Sequence, residues 1–398
     1  MKRRDFLSAT AILSLLGAAP ALAQTKKAQE KAKKPKPKPK TNKKPAATTS
    51  AADSAGAHSE PRNAVSLPDE PAPNWRGYDV RSTLTLAPTR GPTRLWLPLV
   101  QYRDTPWARS LGHRWQGNFS QAGIYRDPVA DMEVFYAEWP NGGEEMRLEL
   151  TSQIATQDRH FDITRRNNVA ERTEVLRRCL QPTEQMPTDG IVHRTAERAI
   201  GRVKDPLAMA KAVYEWVIDN SSYDPQAAGI GNQNIGQMLD SGRLAGRSAD
   251  ISLLFVALCR SLGIPARPVF GLRLDSSRLF GSLGVTGDLS QAQHCRAEFY
   301  VPGYSWVAVN PSDVRKAIHD EQLSLQDPKL NVLKKLLFGF WEMNWIGYNA
   351  AQDVNLRGLN GAPLPYLAAP KLETPEGLFD PSSGTRLSYA VHAERSAV

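Results

Sequence analysis

Residues 251–262, Ile-Ser-Leu-Leu-Phe-Val-Ala-Leu-Cys-Arg-Ser-Leu, constrain the fold more than any other stretch of the chain. Ile251, Leu254, Phe255, Leu258, Cys259 and Leu262 recur at helical spacing, and Leu253, Val256 and Ala257 make the other sides apolar as well. A helix without a polar side cannot lie on a surface. It requires a domain built around it, with Ser248 and Asp250 in its first turn, Gly263 as its C-terminal cap and Pro265 beyond the cap.

The segments C-terminal to this helix read as strands. Residues 267–274 leave the helix as one strand, and residues 293–301 alternate: His294, Arg296, Glu298 and Tyr300 share one face, with Cys295, Ala297, Phe299 and Val301 on the other. The turn Pro302-Gly303-Tyr304 leads into a second strand, residues 305–310. Closing that hairpin about Gly303 brings His294 near residues 310–312. Taken singly, Ser248 is an ordinary helix-start residue, Asp250 suits the helix dipole, and His294 could be a structural hydrogen-bonding residue.

The remainder sets the organisation. A basic start, Met1-Lys2-Arg3-Arg4, precedes an apolar run ending in Ala21-Leu22-Ala23, the order of an export signal peptide, and its arginine pair resembles a twin-arginine signal. Residues 24–65 are rich in Lys, Pro and Ala and poor in large apolar side chains, so they are expected to be a disordered linker. Of the formal charge of +9, ten Lys and one Glu lie between Lys26 and Lys44, which leaves the folded part close to neutral and a nucleic-acid-binding face without support.

Residues 66–168 have strand-like alternation and read as an all-β, sandwich-like domain. Residues 169–320 form the α+β core, and residues 321–398 an extension packed on that core. Three cysteines cannot frame disulfides for a chain of 398 residues, and the seven histidines are scattered, so neither a metal nor a cofactor is expected. Gly229, Gly231 and Gly236 lack the spacing of a phosphate-binding loop. The aromatic group Phe338, Phe340, Trp341, Trp345 and Tyr348 reads first as core packing and second as the lining of a substrate groove.

Three motifs carry a resemblance. Gly246-x-Ser248-x-Asp250 with residues 254–267, then His294-Cys295-Arg296-Ala297-Glu298-Phe299-Tyr300, then Trp306-Val307-Ala308-Val309-Asn310-Pro311-Ser312-Asp313 resemble, in order and separation, the transglutaminase-like superfamily of papain-related thiol enzymes. The resemblance implies a papain-like α+β core. It also implies thiol-dependent acyl transfer or amide hydrolysis, with a nucleophilic Cys at position 248, its partner His at 294, and an Asp at 310 that orients the imidazole. This chain departs twice, with Ser248 and Asn310.

Asn310 can still orient an imidazole. Ser248 matters more, because a thiol at a helix start beside a His ionises at a pKa of about 3.5–7.5, whereas a hydroxyl gains no comparable standing anion. The expected function is that of an exported, periplasmic pseudoenzyme that binds a peptide, a protein or an envelope polymer, with no membrane span in the mature chain. The alternative is a residual serine-type amidase or acyltransferase using Ser248 and His294.

Overall fold

The computed structural model describes residues 75–100, 104–127, 132–167, 170–359, 361–381 and 387–398. The expected signal peptide and basic linker lie outside the described residues.

The α+β core is assembled on the apolar helix. Ser248–Ser261 is helical as its periodicity requires, and residues 248–260 are all buried. Gly263 follows with φ +76°, the left-handed turn that favours glycine at a helix end. One face of the helix packs on an antiparallel sheet ordered Ser305–Val309, Gln293–Val301, Ala266–Arg273, Trp345–Asn349. Gly190–Ile200, Pro206–Asn220 and Pro311–Asp320 pack around it. Pro206–Asn220 is capped at its start by the Asp205 carboxylate, which accepts from Ala208 N–H at 2.9 Å. Gly190–Ile200 is absent from the sequence reading, although its buried Val192, Ala196 and Ile200 recur at i, i+4 and i+8.

Arg260 shows how polar groups survive in this core. Its guanidinium donates to the carbonyls of Ala266 and Gln181 and to Gln352 Oε1, each at 2.8 Å, which satisfies a buried charge that burial depresses to a pKa of about 10. The helix end, the strand that leaves it and two surface segments are thereby tied to one side chain.

The strand-rich region is a sandwich of two antiparallel sheets. One is ordered Leu387–Ser396, Arg76–Leu86, Met146–Thr156, Ala108–Gly117, and the other Gly377–Phe379, Lys371–Thr374, Thr93–Pro98, Met132–Trp139, Gln121–Asp127. Leu84, Leu86, Leu148 and Leu150 of the first meet Leu95, Leu97, Phe135 and Ala137 of the second.

The last part of the chain packs on the core and also pairs with the strand-rich region. Trp345–Asn349 pairs with Ala266–Arg273 of the core sheet, but Phe340–Trp341 pairs with Arg159–His160, Lys371–Thr374 with Thr93–Pro98, and Leu387–Ser396 with residues 77–86 of Arg76–Leu86. The reason is edge chemistry. Arg76–Leu86 would otherwise offer a row of unpaired backbone groups, and a distant alternating segment satisfies them. Local pattern cannot reveal a partner some three hundred residues away, as in the pairing of Gly77 with Ser396.

A chain ending after Phe379 is therefore expected to unfold at lower temperature and to bind a hydrophobic dye at its sandwich. Circular dichroism melting and dye fluorescence of the shortened and full chains check this.

Candidate active site

Ser248 sits at the first position of the central helix, 6% exposed. The chain enters through Arg247 in extended backbone, and Arg247 N–H donates to Asp250 Oδ2 at 2.9 Å. Asp250 is fully buried and also accepts from Gln233 N–H at 2.8 Å. Burial raises its carboxyl pKa against these backbone donors. Two glycines make room for it: a Cβ on Gly231, whose φ is +107°, would lie 2.1 Å from Asp250 Oδ2, and one on Gly246 would lie 2.5 Å from the same oxygen. The glycine loop that has no phosphate-binding spacing thus closes on Asp250 and crosses the helix start, where Ala249 N–H donates to Ile230 C=O at 2.8 Å.

Ser248 Oγ accepts a hydrogen bond from Cys295 N–H at 3.1 Å, the amide next to His294. Cys295 C=O accepts from Ser252 Oγ at 3.0 Å and from Ser312 Oγ at 3.2 Å. One peptide segment of the strand is thereby stitched to the starts of two helices. That stitching, with the hairpin register pairing Ala297 with Val309, fixes where His294 stands.

His294 is 3% exposed, and its Nε2 lies 3.1 Å from Asp313 Oδ1, close to the carboxylate but out of line for a hydrogen bond. The Asp313 carboxylate also takes the Arg273 guanidinium at close range and the Asn310 side-chain amide at 2.5 Å, with Arg296 at 3.9 Å. Asn310, the expected orienting residue, is the N-cap of Pro311–Asp320. Its Oδ1 accepts from Asp313 N–H at 3.1 Å and from Ser312 Oγ at 3.0 Å. The carboxylate in reach of the imidazole is that of Asp313, and Asn310 braces it.

Sequence reasoning passed over Asp313 and Arg273. A signal for Asp313 existed: Pro311 starts a helix, and the side chain three residues past an Asn cap turns back toward the strand the chain has just left. Nothing in the sequence pointed to Arg273, whose role depends on the neighbouring strand.

A family model described as the transglutaminase-like superfamily matches residues 193–311, which include Ser248, His294 and Asn310. An uncharacterised protein of Haemophilus influenzae is 32% identical over 285 residues, spanning 67% of this chain and 76% of that protein. Residues 193–311 form a domain of the transglutaminase-like superfamily.

Among solved structures, a candidate cysteine protease from Cytophaga hutchinsonii is 14% identical, with 81% of this chain and 91% of that one covered and a TM-score of 0.49. The periplasmic domain of TgpA from Pseudomonas aeruginosa is also 14% identical, with 60% of this chain and 98% of that one covered and a TM-score of 0.32. Both scores lie below 0.5, too low to assign anything further to this chain.

This transglutaminase-like site is electrostatically unusual. Burial first, then the Arg273 guanidinium, push His294 from 6.5 down to about 4, against the pull of Asp313. Burial would raise the Asp313 carboxyl, but Arg273, His294 and Arg296 together hold it well below the ordinary range. The imidazole is accordingly neutral at physiological pH. No thiol stands in for Ser248, since Cys179, Cys259 and Cys295 are all buried and burial raises the pKa of each. Among the described residues there is no cluster of three or more potential metal ligands and no helix long and apolar enough to cross a membrane.

Between about pH 6.5 and 4 the unfolded chain takes up a proton at His294 that the folded chain refuses, so stability falls as the pH drops through that window, by about 3 kcal/mol at its foot. Urea unfolding across this range should show that loss in the wild type and a flatter profile in His294→Gln. Equal slopes would place the His294 pKa near its ordinary value.

Proposed function

We propose that this chain is an exported, periplasmic protein of the transglutaminase-like superfamily that binds a peptide or an envelope polymer and whose acyl-transfer or amide-hydrolysis chemistry is impaired. The observation that carries the reading is the Arg273 guanidinium seated on Asp313. In a nucleophile-His-acid arrangement the carboxylate stabilises the imidazolium that forms as the nucleophile loses its proton. Here a permanent cation already occupies that carboxylate, and a His294 with a pKa of about 4 is a weak base for a serine hydroxyl. Ser248 itself offers no standing anion. With Ala249 N–H engaged by Ile230, the helix start has one donor fewer for a developing oxyanion.

Support for binding comes from the same strand face. Glu298 lies four residues from His294, about 13 Å along the strand, and lines a cavity of about 200 Å³ with Trp107, Trp306, Trp341, Arg159 and Arg178. Arg159 stands over the rings of Trp107 and Trp341 at 3.9 and 4.5 Å, and its NH1 donates to Glu298 at 2.5 Å. Of the aromatic group singled out in the sequence, Trp341 lines this cavity, while Phe338 and Phe340 belong to the main core and Tyr348 packs between the core sheet and the sandwich. Indole walls with arginines set among Asp104, Glu171 and Glu298 suit a peptide or another acyl-bearing segment with polar groups of both signs. Export rests on the succession of basic, apolar and small residues in the sequence of residues 1–23.

Two measurements test the reading. On a panel of acyl-donor peptides, the wild type and Ser248→Ala should turn over at the same background rate, and a fluorophosphonate should leave Ser248 unlabelled. A wild type that is faster and is labelled establishes the serine-type enzyme instead.

In Ser248→Cys, the new thiol should titrate at or above the ordinary value of about 8.5 in iodoacetamide labelling, because a neutral His294 cannot pair with a thiolate. A midpoint well below that value would show that burial and Arg273 do not hold the imidazole neutral. Calorimetric titration with peptides should detect binding that Trp306→Ala weakens.

A further inference from the structure

The outer face of the five-stranded sheet, away from the core of the sandwich and from Ser248, carries a second cavity of about 320 Å³. Its floor follows from strand alternation. Gly123 and Tyr125 share one face of Gln121–Asp127, and the neighbouring strands place Tyr136, Glu138 and Arg94 on that face, in register with Gly123 opposite Tyr136 and Arg94 opposite Glu138. The intervening Ile124, Phe135, Ala137 and Leu95 point into the core of the sandwich. Arg357 and Gly358, from the segment after the core sheet, form the far wall.

Two observations distinguish this face from an ordinary solvated sheet. Gly123 lies within a strand, where glycine is unfavourable, yet a Cβ there would meet nothing within 4 Å. Neither packing nor a left-handed turn calls for the glycine, and its effect is to keep the cavity open. Among the described residues, Tyr125 Oη is buried without an aligned hydrogen-bond partner. Burial raises its pKa to about 12, opposed by the nearby backbone amide of Arg357. A buried hydroxyl left in that state is costly unless something entering the cavity bonds to it.

The polar groups on this face are arranged as donor next to acceptor. Tyr136 Oη donates to Glu138 Oε2 at 3.2 Å, Arg94 Nε is 3.8 Å from Glu138 Oε1, and Arg94 also reaches Glu373 at 3.0 Å. Two tyrosine rings therefore lie among two guanidiniums, Arg94 and Arg357, and the Glu138 carboxylate, with Glu373 pairing Arg94 from outside the lining. A ligand that stacks on rings and both donates and accepts hydrogen bonds at close spacing fits this set, and a polyhydroxylated sugar ring has those properties. An anionic ligand would meet Glu138, and a wholly apolar one would strand the polar groups.

We propose that this face binds a glycan, one or two sugar rings occupying the cavity over Gly123, so that the sandwich holds a polymer while the core addresses its acyl-bearing branches. The proposal deepens the envelope-polymer reading given above but rests on a separate surface. The competing occupant is a peptide that adds to the sheet edge, since Gln121–Asp127 is the outermost strand. Such a peptide would pair with backbone and be indifferent to a side chain at position 123.

The test titrates the full mature chain with soluble oligomers of N-acetylglucosamine, with wall glycan stripped of its stem peptides, and with the free stem peptides. Glycan binding is expected, lowered at least about tenfold by Gly123→Val, with the melting temperature unchanged or higher because valine suits a strand. Tyr125→Phe, which removes only the hydroxyl, should give a smaller loss and decides the matter should Gly123→Val fold poorly. Ser248→Ala, His294→Ala and Trp306→Ala should bind the glycan as the wild type does, whatever becomes of peptide binding at the core. A wild type that binds no saccharide, a Gly123→Val that binds as before, or glycan binding lost in His294→Ala overturns the proposal.

Discussion

A buried carboxylate has to be compensated, and most of the core around Ser248 is arranged by how Asp313 is compensated. Its partners come from three elements: Arg273 from one strand, His294 and Arg296 from the next, and Asn310 from the cap of its own helix. Removing any one leaves charge exposed to a low-dielectric interior, so the strands and the helix start hold one another in register. The same arrangement decides the chemistry. Burial first, and then the Arg273 guanidinium that shares this carboxylate, keep the histidine neutral against the pull of Asp313.

A second buried carboxylate repeats the device farther along the strand. Glu298 accepts from Arg159 of the strand-rich region at 2.5 Å and from Arg267 of the core at 2.6 Å, which ties the two parts through one ion triad. The apolar contact beside it runs the same way, with Tyr78, Val80 and Ile154 of the sandwich packed against Leu272, Ile346 and Tyr348 of the core sheet. The chain then returns to the sandwich to close it with Lys371–Thr374 and Leu387–Ser396. Sandwich and core therefore share polar and apolar contacts, and the cavity beside Glu298 is lined from both.

Several features were legible without coordinates because they are local. The all-apolar helix from Ser248, the alternation of Gln293–Val301 and the turn at Gly303 each follow from side-chain spacing or backbone preference within a few residues. The motifs around Ser248, His294 and Asn310 carried the family for the same reason, being short and ordered along the chain. Gly231 was visible as a glycine but not as the residue that lets Asp250 fit against the loop, since that contact is set by packing.

By itself the sequence determined the class of fold, the placement of a hydroxyl at a helix start, and a histidine on a strand whose hairpin returns toward residues 310–312. Those are consequences of periodicity and turn chemistry, which act at short range. Tertiary structure alone decided which acid meets the imidazole, because Asp313 reaches it only after Asn310 turns the chain into a helix. It alone decided that Arg273, from the adjoining strand, claims that acid. It alone decided that the final strand belongs to the first sheet, since the stability of an edge pairing depends on which backbone groups lie unpaired in space and not on their separation along the chain.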